Sequence, residues 1–107
     1  MQTSPPPYAI AGKQTIAQTP ELRVTLMDFA PGQEIPWHRH NTVDDTSFCL
    51  KGAVEISTTD PDETHAIAPG EFKRIPAGTP HRVRCLGPEP CRVLLVQGVG
   101  AYDFLPA

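Results

Sequence analysis

The chain has no basic run longer than two residues, no Cys-x-x-Cys pair and no long apolar stretch. Each absence excludes something. Without clustered lysine and arginine, and with a net charge of -3 over 107 residues, neither nucleic acid nor an anionic membrane is an expected partner. No segment approaches the roughly 18 apolar residues of a membrane-spanning helix. Cys49, Cys85 and Cys91 are an odd number at spacings that fit no zinc or redox pair. With no apolar leader at the N-terminus, a cytoplasmic protein with reduced thiols is expected. Long helical periods, internal repeats, linkers, phosphate-binding loops and Ser-His-Asp arrangements are missing as well.

Proline and glycine are plentiful: thirteen and eight residues, placed so that they interrupt the chain every eight to twelve positions. Such punctuation favours many short strands joined by tight turns. Strand-like runs cover Glu21 to Phe29, Glu34 to His40, Asp45 to Leu50, Ala53 to Thr58, Thr64 to Ala68, Phe72 to Ile75, Arg82 to Leu86 and Cys91 to Gln97. Turns are expected at Lys51-Gly52, Asp60-Pro61-Asp62 and Pro69-Gly70, the last with the residues of a type II turn. Residues 1–20 read as an N-terminal arm, free to lend a strand to a second subunit, and residues 21–107 as the barrel of one all-β domain.

The chemistry lies in two blocks. One is Gly32, five residues, His38-Arg-His40, four residues, Asp45, six residues, Gly52; the other is Gly70, five residues, Pro76-x-Gly78, two residues, His81. On a strand, His38 and His40 share a face, because side chains alternate with period two. Asp45, Ser47 and Cys49 share a face of the next strand, and His81, Val83 and Cys85 a face of a third. Three histidines and a carboxylate form a nitrogen and oxygen donor set suited to a divalent transition metal. His65 lies outside both blocks and reads as an exposed strand residue; Asp44 reads as a solvent-facing turn residue.

These two blocks resemble the paired motifs of the cupin superfamily, over residues 32–52 and 70–85. Asp45 stands where the family has glutamate, and Cys85 where it usually has asparagine. The resemblance implies a cupin-type antiparallel jelly-roll barrel of six to eight strands, in a single domain and commonly a homodimer. It implies metal ligation by His38, His40, Asp45 and His81, with Fe(II), Mn(II) or Ni(II) favoured and Zn(II) or Cu(II) as alternatives. Aspartate reaches about 1.5 Å less far than glutamate, so direct ligation by Asp45, ligation through water and a three-histidine site all remain open. Displaced from the metal, Asp45 would be a catalytic general base.

The family implication for function is a metal-dependent enzyme acting on a small organic substrate, first of all a dioxygenase-type oxidoreductase. The alternatives are a non-catalytic small-ligand binder and an isomerase or lyase needing no dioxygen. Ser47, Cys49, Val83, Cys85 and Gln97 are the expected pocket residues. Phe29, Trp37, Phe48, Tyr102 and Phe104 would supply apolar bulk, with the tail Gly100 to Phe104 folded over one barrel end. Arg39, Arg82 and Arg84 alternate away from the ligand faces, so no inward arginine is expected to anchor an acidic substrate.

Overall fold

Two antiparallel five-stranded sheets face each other in a computed structural model that describes residues 8–107. The strands are β1 (Gly12–Thr19), β2 (Leu22–Phe29), β3 (Glu34–Arg39), β4 (Asp44–Lys51), β5 (Val54–Thr58), β6 (Glu63–Ile67), β7 (Phe72–Ile75), β8 (His81–Cys85), β9 (Cys91–Gly98) and β10 (Leu105–Pro106). One sheet has the order β1-β2-β9-β4-β7 and the other β10-β3-β8-β5-β6. Sequence-distant strands are thus neighbours, as in a jelly roll.

Period-two burial explains the interior. Met27 and Phe29 on β2, Val93 and Leu95 on β9, Cys49 on β4, Ile75 on β7, Ile56 on β5 and Val83 on β8 all point between the sheets. They form one apolar core that fills most of the barrel. Polar residues take over the inward positions toward one end, where Asp45, His38, His40, His81 and Gln97 are buried.

Three features depart from the strand pattern read in the sequence. Among the described residues there are ten strands rather than six to eight, since residues 12–19 form β1 and the tail forms β10. β1 is a hairpin partner of β2 in the same chain and is exposed along nearly its whole length. Residues 1–7 of the expected arm lie outside the described residues. Third, β3 does not alternate strictly: the β3–β8 register shifts between Ile35 and His38, so both face inward although three positions apart. Such a bulge re-aims a side chain without ending the strand.

Gly52 closes the β4–β5 turn at φ 78°, where a Cβ would stand 2.6 Å from the Pro90 carbonyl oxygen. Only glycine fits both the left-handed backbone and that close approach.

Trp37 and Phe48, expected to add interior bulk, lie on outer faces. Trp37 carries the Arg82 guanidinium over its ring at 5.5 Å, and Phe48 packs on Phe72 at 5.2 Å. Strand parity explains both, because each immediately precedes or follows an inward-facing residue. Arg82 and Arg84 also face outward, paired with Glu55.

Candidate metal centre

Four side chains from three strands and one loop converge near one end of the barrel. The bulge in β3 turns His38 inward, and His40 follows two positions later. Asp45 enters from β4, in the opposite sheet, and His81 opens β8 directly opposite His38. All four are buried, and a ligand atom from each lies within 4.8 Å of every other.

The turn before His81 is held in place by the first block. Gly78 N–H donates to the His40 carbonyl at 2.7 Å, and Ala77 N–H donates to Asp44 Oδ1 at 2.9 Å. Asp44 also accepts from Arg74, and these bonds, the Ala77 amide foremost, hold its carboxyl below the ordinary value. Asp44 is therefore a turn-fixing residue, with its back to the centre. His65 sits apart, half-buried beside Glu63.

Each histidine is fixed at Nδ1. His38 donates to the Pro36 carbonyl at 2.7 Å, His81 to the Thr79 carbonyl at 2.9 Å, and His40 to the Asp103 carbonyl of the tail. A carbonyl only accepts, so Nδ1 carries the proton and Nε2 turns to the centre. Asp45 Oδ2 then stands 3.0 Å from His81 Nε2, 3.1 Å from His40 Nε2 and 3.9 Å from His38 Nε2.

Three lone pairs facing a carboxylate oxygen require a cation or additional protons between them. Ligand atoms about 2.1 Å from an ion and at right angles to one another stand about 3 Å apart, which matches two of these separations. The second carboxylate oxygen, Asp45 Oδ1, is buried without a hydrogen-bond partner. Donor chemistry, spacing and the orphaned oxygen all fit a divalent metal, which His38, His40, Asp45 and His81 could hold.

The electrostatics without a metal are divided. Burial opposes ionisation of Asp45, yet the three imidazoles outweigh it and hold the carboxyl well below 3.8. Burial likewise opposes charge on His38 and lowers its proton affinity. At His40 burial is overcome by Asp45 and the Asp103 carbonyl, so the affinity rises.

The expected pocket residues separate by depth. Gln97 is adjacent to the centre, its Nε2 3.4 Å from His40 Nε2, and Ser47 is buried one inward position beyond Asp45. Val83 belongs to the core cluster. Cys49 and Cys85 face inward as expected but lie four residues from Asp45 and His81 along their strands, about 13 Å away. Their thiols donate to the Gly52 and Glu89 carbonyls at the far end, so they line core rather than a pocket beside the centre.

The tail covers the centre. Leu105 and Pro106 pair with Arg39 and His38, Phe104 stacks on the His38 ring at 4.6 Å, and the Tyr102 ring lies 5.6 Å from that of His40. Gly100 lets the tail pass close to Thr42, whose Cγ2 would be 2.5 Å from an added Cβ. Sequence reasoning missed Arg23: it shares the inward parity of Thr25, Met27 and Phe29, and its guanidinium lies 4.3 Å from the Tyr102 ring centre. The alternation of the Glu21 to Phe29 run was visible, but not which of its faces turned inward.

A family model described as the cupin domain matches residues 25–97. The chain belongs to the cupin family. A conserved double-stranded β-helix protein from Klebsiella pneumoniae is similar over 100% of this chain and 84% of its own, at 23% identity and TM-score 0.79. A conserved protein of unknown function from Streptococcus pyogenes is 31% identical over 81% of this chain and 72% of its own, with TM-score 0.72. Oxalate oxidase, solved in complex with glycolate, shares the fold at 18% identity and TM-score 0.73, over 81% of this chain and 46% of its own. No curated protein matches the sequence.

Proposed function

We propose that this cupin is a metal-dependent enzyme acting on a small organic substrate, with dioxygenase-type oxidation as its reaction class. One observation carries the reading: three Nε2 atoms face Asp45 Oδ2 in a buried place while each of the three Nδ1 atoms is committed to a carbonyl and Asp45 Oδ1 is left without a partner. His38, His40, Asp45 and His81 are the ligands, with Fe(II), Mn(II) or Ni(II) as the favoured ion. Such an ion supplies Lewis acidity and a centre at which dioxygen and an electron-rich substrate meet.

The chain's own residues do the rest. The Pro36, Thr79 and Asp103 carbonyls fix the imidazole planes. Phe104 and Tyr102 shield the site from bulk water, and Gln97 offers an amide beside His40. The depressed proton affinity of Asp45 favours the ligand role over that of general base.

Oxygen uptake by iron-loaded protein, with a panel of small enols, phenols and carboxylic acids, tests the reaction class. Turnover that persists without dioxygen would reassign the protein to an isomerase or lyase. Stoichiometric metal with no turnover in either atmosphere would make it a ligand-binding module.

A homodimer is part of the reading. Leu26, Leu94, Phe48 and Phe72 form a row across four strands on the outer face of the β1-β2-β9-β4-β7 sheet, and Phe72 is 60% exposed. Exposed apolar rows of this kind favour association. Light scattering should give twice the chain mass, falling to the single mass in Phe72→Glu. Three unpaired buried thiols suit a reducing compartment such as the cytoplasm.

A further inference from the structure

Arg23, Gln97 and Asp45 stand in one row on the inner face of a sheet. Arg23 on β2 is opposite Gln97 on β9, and Gln97 is opposite Asp45 on β4. Neighbouring strands are about 4.8 Å apart, so the Arg23 and Asp45 backbones are roughly 10 Å apart. That span lets a long arginine side chain and the candidate metal ligands face one small molecule. The next row, Thr25, Leu95 and Ser47, lies one inward position deeper.

The polar groups along this strip lack partners. Arg23 Nε and Thr25 Oγ1 are both buried with no hydrogen-bond partner, and Thr25 is 1% exposed. Among the described residues Arg74, Arg82, Arg84 and Arg92 each pair with an acid, whereas Arg23 and Arg39 do not, and of these two it is Arg23 that lies against the face of Tyr102.

A second cation crowds the same corner. Lys13 on β1 donates from Nζ to the Tyr8 hydroxyl at 3.0 Å, and the Tyr8 ring packs on Phe104 at 5.8 Å. Burial and then the charge of Arg23 depress the proton affinity of Lys13. Arg23 and Lys13 repel each other beside orphaned donors, and the carboxylate of the row, Asp45, is turned to the imidazoles, an arrangement that an anionic ligand at Arg23 would relieve.

We infer that Arg23, assisted by the Thr25 hydroxyl, anchors the carboxylate of a small organic acid whose other end reaches the His38–His40–Asp45–His81 group. A guanidinium offers a planar fork of donors that matches a carboxylate in two parallel bonds. The aromatic face of Tyr102 holds that fork in orientation. Gln97, midway in the row, faces the middle of such a molecule. This inference rests on the metal-centre reading and gives its substrate class.

Calorimetric titration of zinc-loaded protein tests it, using lactate, 4-oxopentanoate and succinate as probes and the corresponding amides as neutral matches. At least one acid should bind, with its amide at least about tenfold weaker, and Arg23→Ala should weaken the acid by about tenfold or more while leaving the amide unchanged. Arg23→Lys, which keeps the charge but not the fork, should recover part of the loss and guards against an Arg23→Ala variant that does not fold. Metal content of the same samples reads the metal centre separately. Stoichiometric zinc with no acid bound, or with acid and amide bound equally, overturns the anchor and leaves the metal centre standing. Absence of zinc overturns the metal centre and the anchor with it.

Discussion

Asp45 Oδ2 lies 3.0 Å from Nε2 of His81, thirty-six positions later in the chain and on the opposite sheet. The contact joins the two motif blocks across the barrel interior and is the point at which fold and chemistry meet. It also links site to stability.

Because its folded-state proton affinity is depressed, Asp45 contributes stability above its ordinary value of 3.8 that is lost as pH falls through the folded value. His38, also depressed, acts in the same direction from its ordinary value of 6.5 downward. His40 is raised and acts oppositely, its contribution being present below 6.5 and lost as pH rises through the folded value. In chelator-treated protein, Asp45→Asn should flatten the acid limb of melting temperature against pH below about pH 4. An unchanged acid limb would remove Asp45 from this coupling.

Phe104 stacks on His38 and joins the tail to the centre. Phe104→Ala should destabilise the fold by about 2 kcal/mol, less than a fully buried phenylalanine would cost because the ring is only partly buried. The same variant should release bound metal to a chelator faster than wild type. Equal release rates would show that the tail does not guard the site.

Gly52→Ala should be among the costlier single-methyl additions. The left-handed φ and the 2.6 Å approach to the Pro90 carbonyl both oppose a side chain. A loss of about 2 kcal/mol, or roughly 10 °C in melting temperature, is expected.

Cys91 is buried, and burial followed by the neighbouring Cys85 pushes its thiol up to about 12. Burial also raises Cys49. Thiolate-directed reagents should therefore leave both unmodified in native protein at pH 8 and label all three cysteines after denaturation. Rapid native labelling of Cys91 would contradict the packing around it.

The four positions that converge at the candidate centre were legible because motif spacing and strand parity are both local. His-x-His puts two imidazoles on one face in any extended strand, and the resemblance to the cupin motif, with its six-residue gap before Gly52, singles out Asp45 from two adjacent aspartates. The bulge at Pro36 and Trp37 was not legible, since a register shift is set by the partner strand β8. Nor was the inward face of β2: Arg23 and Thr25 alternate with Leu22, Val24 and Leu26, and pairing with β9 decides which set is buried. Cys49 and Cys85 had the right parity but the wrong depth, because alternation says which face a residue occupies and not how far along the barrel it lies.

Metal content per chain, measured by elemental analysis on tag-free protein purified without oxygen, tests the central claim most directly, with His81→Ala prepared alongside. The account predicts close to one equivalent in the wild type and loss of most of it in the variant. Little metal in either protein, even after reconstitution with iron, manganese, nickel and zinc, would contradict it.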